Sequence, residues 1–305
     1  MLTPAHGSGR GPKSAFRYAL LEFGDGAAEI RLKQVRADGI FYPVQSQESF
    51  TGGDRKLNRI WESSVYTAHL CMQEGIWDAP KRDRGIWMGD LDVTGQVIAR
   101  VFGSMALLDE SYEQLAADGH EHINGLATYT PFWIIGEARL QRQRESDDEL
   151  RKLHPQLLRL LQLMAKEINA DGRFEPSGKA GIFIDWAPEL DRDTPEARAA
   201  AQMEYAWGFR EGAQLLEELK DPAAEEMRQL ADKTTLRARQ DLFDAKVGGY
   251  GSRWQTNALA VVSGVATAEQ ARQIGDGVLA GVGRKEAPSQ PITPWQGYYL
   301  LEALA

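Results

Sequence analysis

Trp77-Asp78-Ala79-Pro80-Lys81-Arg82-Asp83-Arg84-Gly85-Ile86-Trp87-Met88-Gly89-Asp90 packs three carboxylates, three cations and two indoles between two stretches of helical periodicity. A solvated surface loop seldom spends two tryptophans. Carboxylates held together by arginines and walled by aromatic rings are what a sugar site needs. Hydroxyls want bidentate acceptors, pyranose faces want flat apolar surfaces, and glycosidic cleavage wants a carboxylic acid. Composition alone equally allows an ion-pair cluster that pins a loop.

Working outward, Gly52-Gly53-Asp54 punctuates the chain and caps a helix whose apolar face is Leu57, Ile60, Trp61 and Val65. Beyond the loop, the pattern predicts helices near 91–102, 105–117, 128–143, 148–168, 195–219, 222–244, 254–265, 268–281 and 294–305. Helix pairs joined by alternating short and long loops are what a toroid of helical hairpins requires, and a ring of six hairpins takes about twelve helices. The count here is about ten. The fold class is therefore read as all-α, an incomplete (α/α)6 toroid over 51–305 that lacks its last hairpin. The final helix stops in mid-pattern at Leu300, Leu301 and Leu304 with no closing glycine or cationic turn, so the chain reads as cut there.

On the other side, residues 16–23, 29–32 and 40–44 read as short β-strands separated by Gly-Asp-Gly and Ala-Asp-Gly turns. Three short strands cannot close a sandwich. Residues 1–50 are expected to be a short β-strand segment left from a β-sandwich domain, or a small sheet packed on the helices.

The chain has 305 residues, 43% hydrophobic and 26% charged, and a net charge of -9. These are values of a globular protein with a real core, and no dense Lys/Arg run offers a nucleic-acid surface. The single cysteine, Cys71, sits in an apolar helical pattern and is expected to be a buried small hydrophobe, with no disulfide. The 1–11 segment is polar and rich in Gly and Pro, without an apolar signal-peptide core, and no stretch of 18 or so apolar residues follows. A cytoplasmic protein that does not engage a membrane is expected. Oligomeric state is not encoded legibly.

The pattern Asp-x-Pro-Lys-Arg-Asp-Arg-x-x-Trp-x-Gly-Asp resembles the signature loop of bacterial alpha-L-rhamnosidases, and Leu57-Asn58-Arg59-Ile60-Trp61 precedes it at the family's distance. Phe183-Ile184-Asp185-Trp186 is similar to the family's Asp-Trp element. The helix at 257–264 resembles its Ala-rich late helix, and 293–304 resembles the helix before the catalytic base. Together these cover roughly residues 40–305. The resemblance implies inverting hydrolysis of terminal alpha-L-rhamnosyl groups, in which one carboxylic acid protonates the leaving oxygen and a distant carboxylate activates water. Asp83 matches the acid, where the family more often has the longer glutamate. Asp78, Arg82 and Asp90 match ligands for sugar hydroxyls, and Trp87, Trp133 and Trp186 match aromatic pocket walls. The family's general base is a glutamate in the hairpin after 293–305, to which no residue of this chain corresponds. No cofactor or metal is implied. The partner expected is a carbohydrate, a rhamnoside. Other sugar chemistry on the same ring, by a hydrolase, phosphorylase or lyase, and an inactive sugar-binding fragment are the alternatives.

Glu204 and Glu302 are spare carboxylates that match no motif, and solvation on a helix face is expected for both. His120-Glu121-His122 lacks further metal ligands at usable spacing and is read as loop. The 7–11 Gly-Ser-Gly-Arg-Gly run has neither a preceding strand nor a Lys-Ser/Thr pair and is read as a tail. Trp61, Trp207 and Trp254 read as core, while Trp295 and Gln296 fit either core or sugar pocket.

Overall fold

The computed structural model describes residues 15–22, 31–81, 83–282 and 291–305. The tail at 7–11, positions 23, 29 and 30 of the expected strands, and Arg82 lie outside the described residues. Among the described residues ten α-helices follow one another as hairpins. The first helix of each pair is peripheral: α1 (Arg55–Cys71), α3 (Met105–Ala116), α5 (Asp148–Ala165), α7 (Ala223–Leu242) and α9 (Ala268–Ile274), the last continued by a π-helical turn, Gly275–Leu279. The second is central: α2 (Met88–Phe102), α4 (Tyr129–Gln141), α6 (Pro195–Glu218), α8 (Trp254–Val262) and α10 (Gly297–Leu304).

Sequence separates the two layers. The α5 helix is amphipathic, burying Leu150, Leu153, Leu157, Leu160, Leu161 and Met164 while Arg151, Lys152 and Arg159 face water. By contrast, α4 and most of α6 are buried nearly all round, as inner helices must be when neighbours pack on every side. Successive inner helices adjoin from α2 through α10.

Local chemistry sets the helix ends. The Asp54 side chain accepts from Lys56 N at 2.7 Å. Thr194 caps α6, which opens with Pro195, and Thr267 with Gln270 forms a full capping box on α9. The α2–α3 connection is only 103–104, and Gly103 makes the reversal in the left-handed region at φ 59°. The short connections 103–104, 142–147, 219–222 and 263–267 lie at one end of the hairpins. At the other end lie the described residues of the long ones, 72–87, 117–128, 166–194, 243–253, and 280–282 with 291–296. The 243–253 connection carries a small antiparallel ribbon, β1 (Phe243–Asp244) with β2 (Gly249–Tyr250). Functional side chains are therefore sought at the long-loop end.

The strands expected within 15–50 are a correction: the described residues of that segment contain no strand. Its described residues are irregular and mostly exposed, fastened where His69 Nε2 meets Tyr42 O at 2.8 Å and Gln47 N donates to Val101 O at 2.7 Å. Alternating apolar residues make extended chain acceptable, but a strand exists only where a second backbone completes its hydrogen bonds. Here the neighbouring groups are a helical side chain and a helix-terminal carbonyl.

Cys71 is buried at the end of α1, and burial pushes its thiol up to about 11. Trp207 and Trp254 are buried, and Trp61 packs against the core. Among the described residues no helix is long and apolar enough to cross a membrane.

Candidate functional site

The 72–87 connection is cinched at its base. Asp78 N donates to Gly85 O at 2.9 Å, and Gly85 N donates back to Asp78 Oδ1 at 3.0 Å, so the residues between project as a closed loop. Inside it, Asp83 and Arg84 both lie in the left-handed region, at φ 55° and 58°. That conformation costs a non-glycine residue roughly 1–2 kcal/mol. Strain of this kind collects at functional loops. Asp83 is exposed at the turn.

The loop runs into α2, with Trp87 at the helix N-cap, 38% exposed, and Asp90 in the first helical turn. The Asp90 carboxylate keeps contact with solvent but is crowded by protein. This desolvation, with the charge of Asp78, pushes it up to about 6. Between these residues Gly89 is pressed against the next hairpins. A Cβ there would come within 2.8 Å of the Tyr129 hydroxyl and 2.9 Å of the Trp295 ring.

Aromatic rings from two connections and from the first turn of α4 meet over this point. Phe183 stacks on Trp295 with centroids 5.9 Å apart and planes 10° from parallel. Tyr129 sets its edge against both rings, at 6.3 and 6.2 Å. Trp186 packs edge-on to Phe183 at 4.9 Å and leaves 81% of its own surface exposed. Phe183 is held in both directions by Thr128, whose hydroxyl donates to Phe183 O at 2.7 Å and accepts from Phe183 N at 3.2 Å.

Beneath the rings Asp185 is buried, accepting from Gln255 Nε2 at 2.9 Å, from the Trp186 amide at 2.8 Å, and from the Thr293 hydroxyl. Burial raises its pKa, and these three donors pull it back. Asp185 thus fastens the 166–194 connection to α8 and to the approach of α10, which presents Trp186.

Asp78 acts by its charge on Asp90, Trp87 precedes Asp90 at the start of α2, Asp83 stands exposed on the loop that leads into that helix, and Trp186 stands on the adjoining aromatic cluster. Trp133 is a correction. It is 0% exposed, donates Nε1–H to Tyr112 O at 3.0 Å and packs on the Tyr112 ring, so it is part of the core. It lies on α4, a helix buried on all sides, where no indole faces an opening.

The solvated-face expectation for Glu204 is also corrected: it is 0% exposed on α6, and neither carboxylate oxygen has a hydrogen-bond partner among the described residues. Burial raises its pKa well above the usual carboxylate range. Glu302 is exposed. His122 is buried, its Nδ1 2.9 Å from the Thr130 hydroxyl and its Nε2 3.4 Å from Glu167, which also accepts from Tyr205. Of the two residues that fitted core or pocket, Gln296 is fully buried and donates to Ile184 O, whereas Trp295 is partly exposed within the aromatic cluster, its Nε1 buried without a hydrogen-bond partner among the described residues.

Sequence reasoning did not single out Tyr129, whose hydroxyl feels burial first and then the charges of Asp90, Glu204 and Asp185, all of which raise its pKa. Nor did it single out Asn124. The composition of 117–130 carried no signal for either, because their roles depend on which hairpin lies alongside. A shallow depression on α1, lined by Arg55, Arg59, Ile60 and Ser63, lies in the half of that helix farther from the 72–87 loop.

A ring of helical hairpins with its long loops gathered into one carboxylate-and-indole face defines a sugar-processing toroid of the six-hairpin type. The family model described as bacterial alpha-L-rhamnosidase 6 hairpin glycosidase domain matches residues 45–288, and the chain belongs to that family. In fold it is similar to a GH78 family rhamnosidase of Bacillus sp. GL1, with 22% identity and a TM-score of 0.76, covering 87% of this chain and 30% of that one. It is likewise similar to a rhamnosidase from Klebsiella oxytoca with rhamnose bound, with 24% identity and a TM-score of 0.73, covering 87% of this chain and 53% of that one. The Streptomyces avermitilis alpha-L-rhamnosidase complexed with L-rhamnose is 17% identical, with a TM-score of 0.63, covering 78% and 24%. The chain thus spans 30% of the length of the first and 53% of the second. Comparison with curated proteins finds no match.

Proposed function

We propose that this glycoside hydrolase domain forms the sugar-holding face of an inverting alpha-L-rhamnosidase that releases terminal alpha-L-rhamnosyl groups from glycosides or polysaccharides. In this reading Asp83 gives its proton to the glycosidic oxygen as the bond to the anomeric carbon breaks, and a water activated by a second carboxylate attacks from the opposite face. Asp78, Arg82 and Asp90 hold sugar hydroxyls, and Trp87 and Trp186 offer apolar surface to the ring. The observation that carries the reading is that Asp83, on the loop cinched by Asp78 and Gly85, and Asp90, in the first turn of α2 into which that loop runs, are both exposed to solvent, with the exposed Trp87 between them in the chain.

Glu204 does not serve as the second carboxylate in this arrangement, because it is sealed from the water that a base must activate. The test is release of p-nitrophenol from p-nitrophenyl alpha-L-rhamnoside, with L-rhamnose binding measured by calorimetry on the same protein. A general acid contributes about 10²–10⁴-fold. Asp83→Asn is expected to lose turnover on that scale while still binding L-rhamnose. Absence of both turnover and L-rhamnose binding in the unmodified chain overturns the reading. Binding without turnover would support the sugar-holding face and leave the acid assignment of Asp83 without support.

A further inference from the structure

The N-terminus of α2, which carries Trp87, Gly89 and Asp90, has no cap of its own: its N-cap residue is a tryptophan that makes no capping bond. An uncapped helix leaves several amide donors without partners. The missing partner comes from a different hairpin. Asn124 Oδ1 accepts from Met88 N at 2.9 Å, and Asn124 Nδ2 donates to Ile86 O at 3.1 Å. One carboxamide therefore grips the backbone on both sides of Trp87 and satisfies, from the neighbouring hairpin, the first of the free amides of the helix, where an N-cap side chain would serve the second or third.

The grip is itself firmly mounted. Asn124 occupies the left-handed region at φ 50°, ψ 20°, within the 3₁₀ turn Ile123–Gly125, a conformation that asparagine tolerates better than most residues. Its own amide donates to Asp118 Oδ2 at 3.2 Å, and the preceding Ile123 amide donates to the Thr130 hydroxyl at 3.2 Å. On the far side Gly181 N donates to Gly125 O at 3.1 Å, and Ala127 N donates to Gly181 O at 2.9 Å. The turn is thus tied to α4 and to the connection that presents Phe183 and Trp186.

We infer that Asn124 is the positioning residue of the sugar site: it sets the direction of the Trp87 indole and of Asp90 by capping α2 in trans. It touches no sugar, and it acts through the backbone at 86–88. The cinch at Asp78 and Gly85 closes the loop at one point, and the Asn124 clamp fixes the angle at which it enters α2. The sugar consequence rests on the rhamnoside reading above; the clamp itself does not.

The test pairs two readouts on Asn124→Gly, in which glycine accepts the left-handed backbone and only the side-chain bonds are lost. The first is hydrogen exchange at the Met88 amide together with tryptic cleavage after Lys81 and Arg84, neither of which needs a ligand. Loss of two hydrogen bonds of ordinary net strength is expected to speed both about tenfold or more. The thermal midpoint should move little. The second is L-rhamnose affinity by calorimetry, expected to weaken about tenfold for the same reason, with Asn124→Asp, which keeps the acceptor for Met88, falling between the variant and the parent. Unchanged exchange and cleavage in Asn124→Gly overturn the clamp. Faster exchange with unchanged L-rhamnose affinity overturns the positioning role. If the parent binds no L-rhamnose, the rhamnoside reading falls, and exchange and cleavage still decide the clamp. Should Asn124→Gly fail to fold, Asn124→Asp carries the same comparison.

Discussion

Tyr299, in the last helix, donates its hydroxyl hydrogen to Asp92 of α2, at 2.5 Å, and the same carboxylate accepts from Arg139 Nη1 of α4 at 2.9 and 2.7 Å. Arg139 in turn lies over the rings of Trp207 and Tyr298, at 5.0 and 5.9 Å. Four inner helices, α2, α4, α6 and α10, are joined by this one buried arrangement. Removing one partner of a buried ion pair leaves the other charge uncompensated and costs about 3–5 kcal/mol. Asp92→Asn is expected to destabilise on that scale, and Tyr299→Phe by about 1 kcal/mol. Urea melts of the two single variants and the double variant measure the coupling. Additive effects would show that Tyr299 and Asp92 do not interact in solution.

Glu204 gives stability a pH dependence of definite sign. Its proton is held more tightly in the folded chain than in the unfolded one, because burial opposes the charge. The group is without cost below the ordinary glutamate range. As pH rises above it, the unfolded chain ionises first and stability is lost until the folded pKa is reached. Glu204→Gln keeps the volume and cannot ionise. Its stability advantage over the parent should therefore widen by up to about 1.4 kcal/mol for each pH unit above that range. Denaturant midpoints of both proteins at pH 5 and pH 8 check this, and an advantage independent of pH would contradict it.

Asp90, raised to about 6 by crowding and by Asp78, should make sugar affinity titrate near that value. The ionised carboxylate accepts hydroxyls on both oxygens, while the protonated form surrenders one acceptor position. L-rhamnose affinity is expected to fall about tenfold or more as pH drops from 7.5 to 4.5, on the strength of a charged hydrogen bond. In Asp90→Asn it should be weak and flat over the same interval. Calorimetric titrations across the range provide the comparison.

Two tryptophans matched to pocket walls should behave oppositely. Trp133, fully buried with its Nε1–H satisfied, is expected to cost about 3–5 kcal/mol on replacement by alanine. Trp186, mostly exposed, should cost no more than about 0.5 kcal/mol in stability. Its loss should appear in sugar affinity instead. Thermal melts and L-rhamnose titrations of Trp133→Ala and Trp186→Ala separate the two roles.

These contrasts show where reading the sequence stopped. The helices at 105–116 and 148–165 were legible because one apolar stripe recurs at helical spacing against a polar face. The direction of Trp133 was not legible because α4 is buried on nearly every side and its apolar and polar residues follow no single stripe, so periodicity gave the indole no direction. The segment at 15–50 alternates like a strand, but alternation specifies extension and not a partner. Asn124 was invisible because a cap supplied in trans leaves no pattern at the helix it caps.

The sequence by itself determined the hairpin order, the alternation of short and long connections, the loop at 77–90 with its carboxylates and indoles, and through that loop the family. These follow from local rules: periodicity within a helix, capping at its ends, and residue types close together in the chain. The tertiary structure decided that Trp186 is exposed and Trp133 is not, that Glu204 is sealed without a hydrogen-bond partner among the described residues, that Tyr299 meets Asp92, and that Asn124 holds α2. Each of those depends on which residue distant in the chain comes to lie within a hydrogen-bond length, and that is settled only when the helices pack.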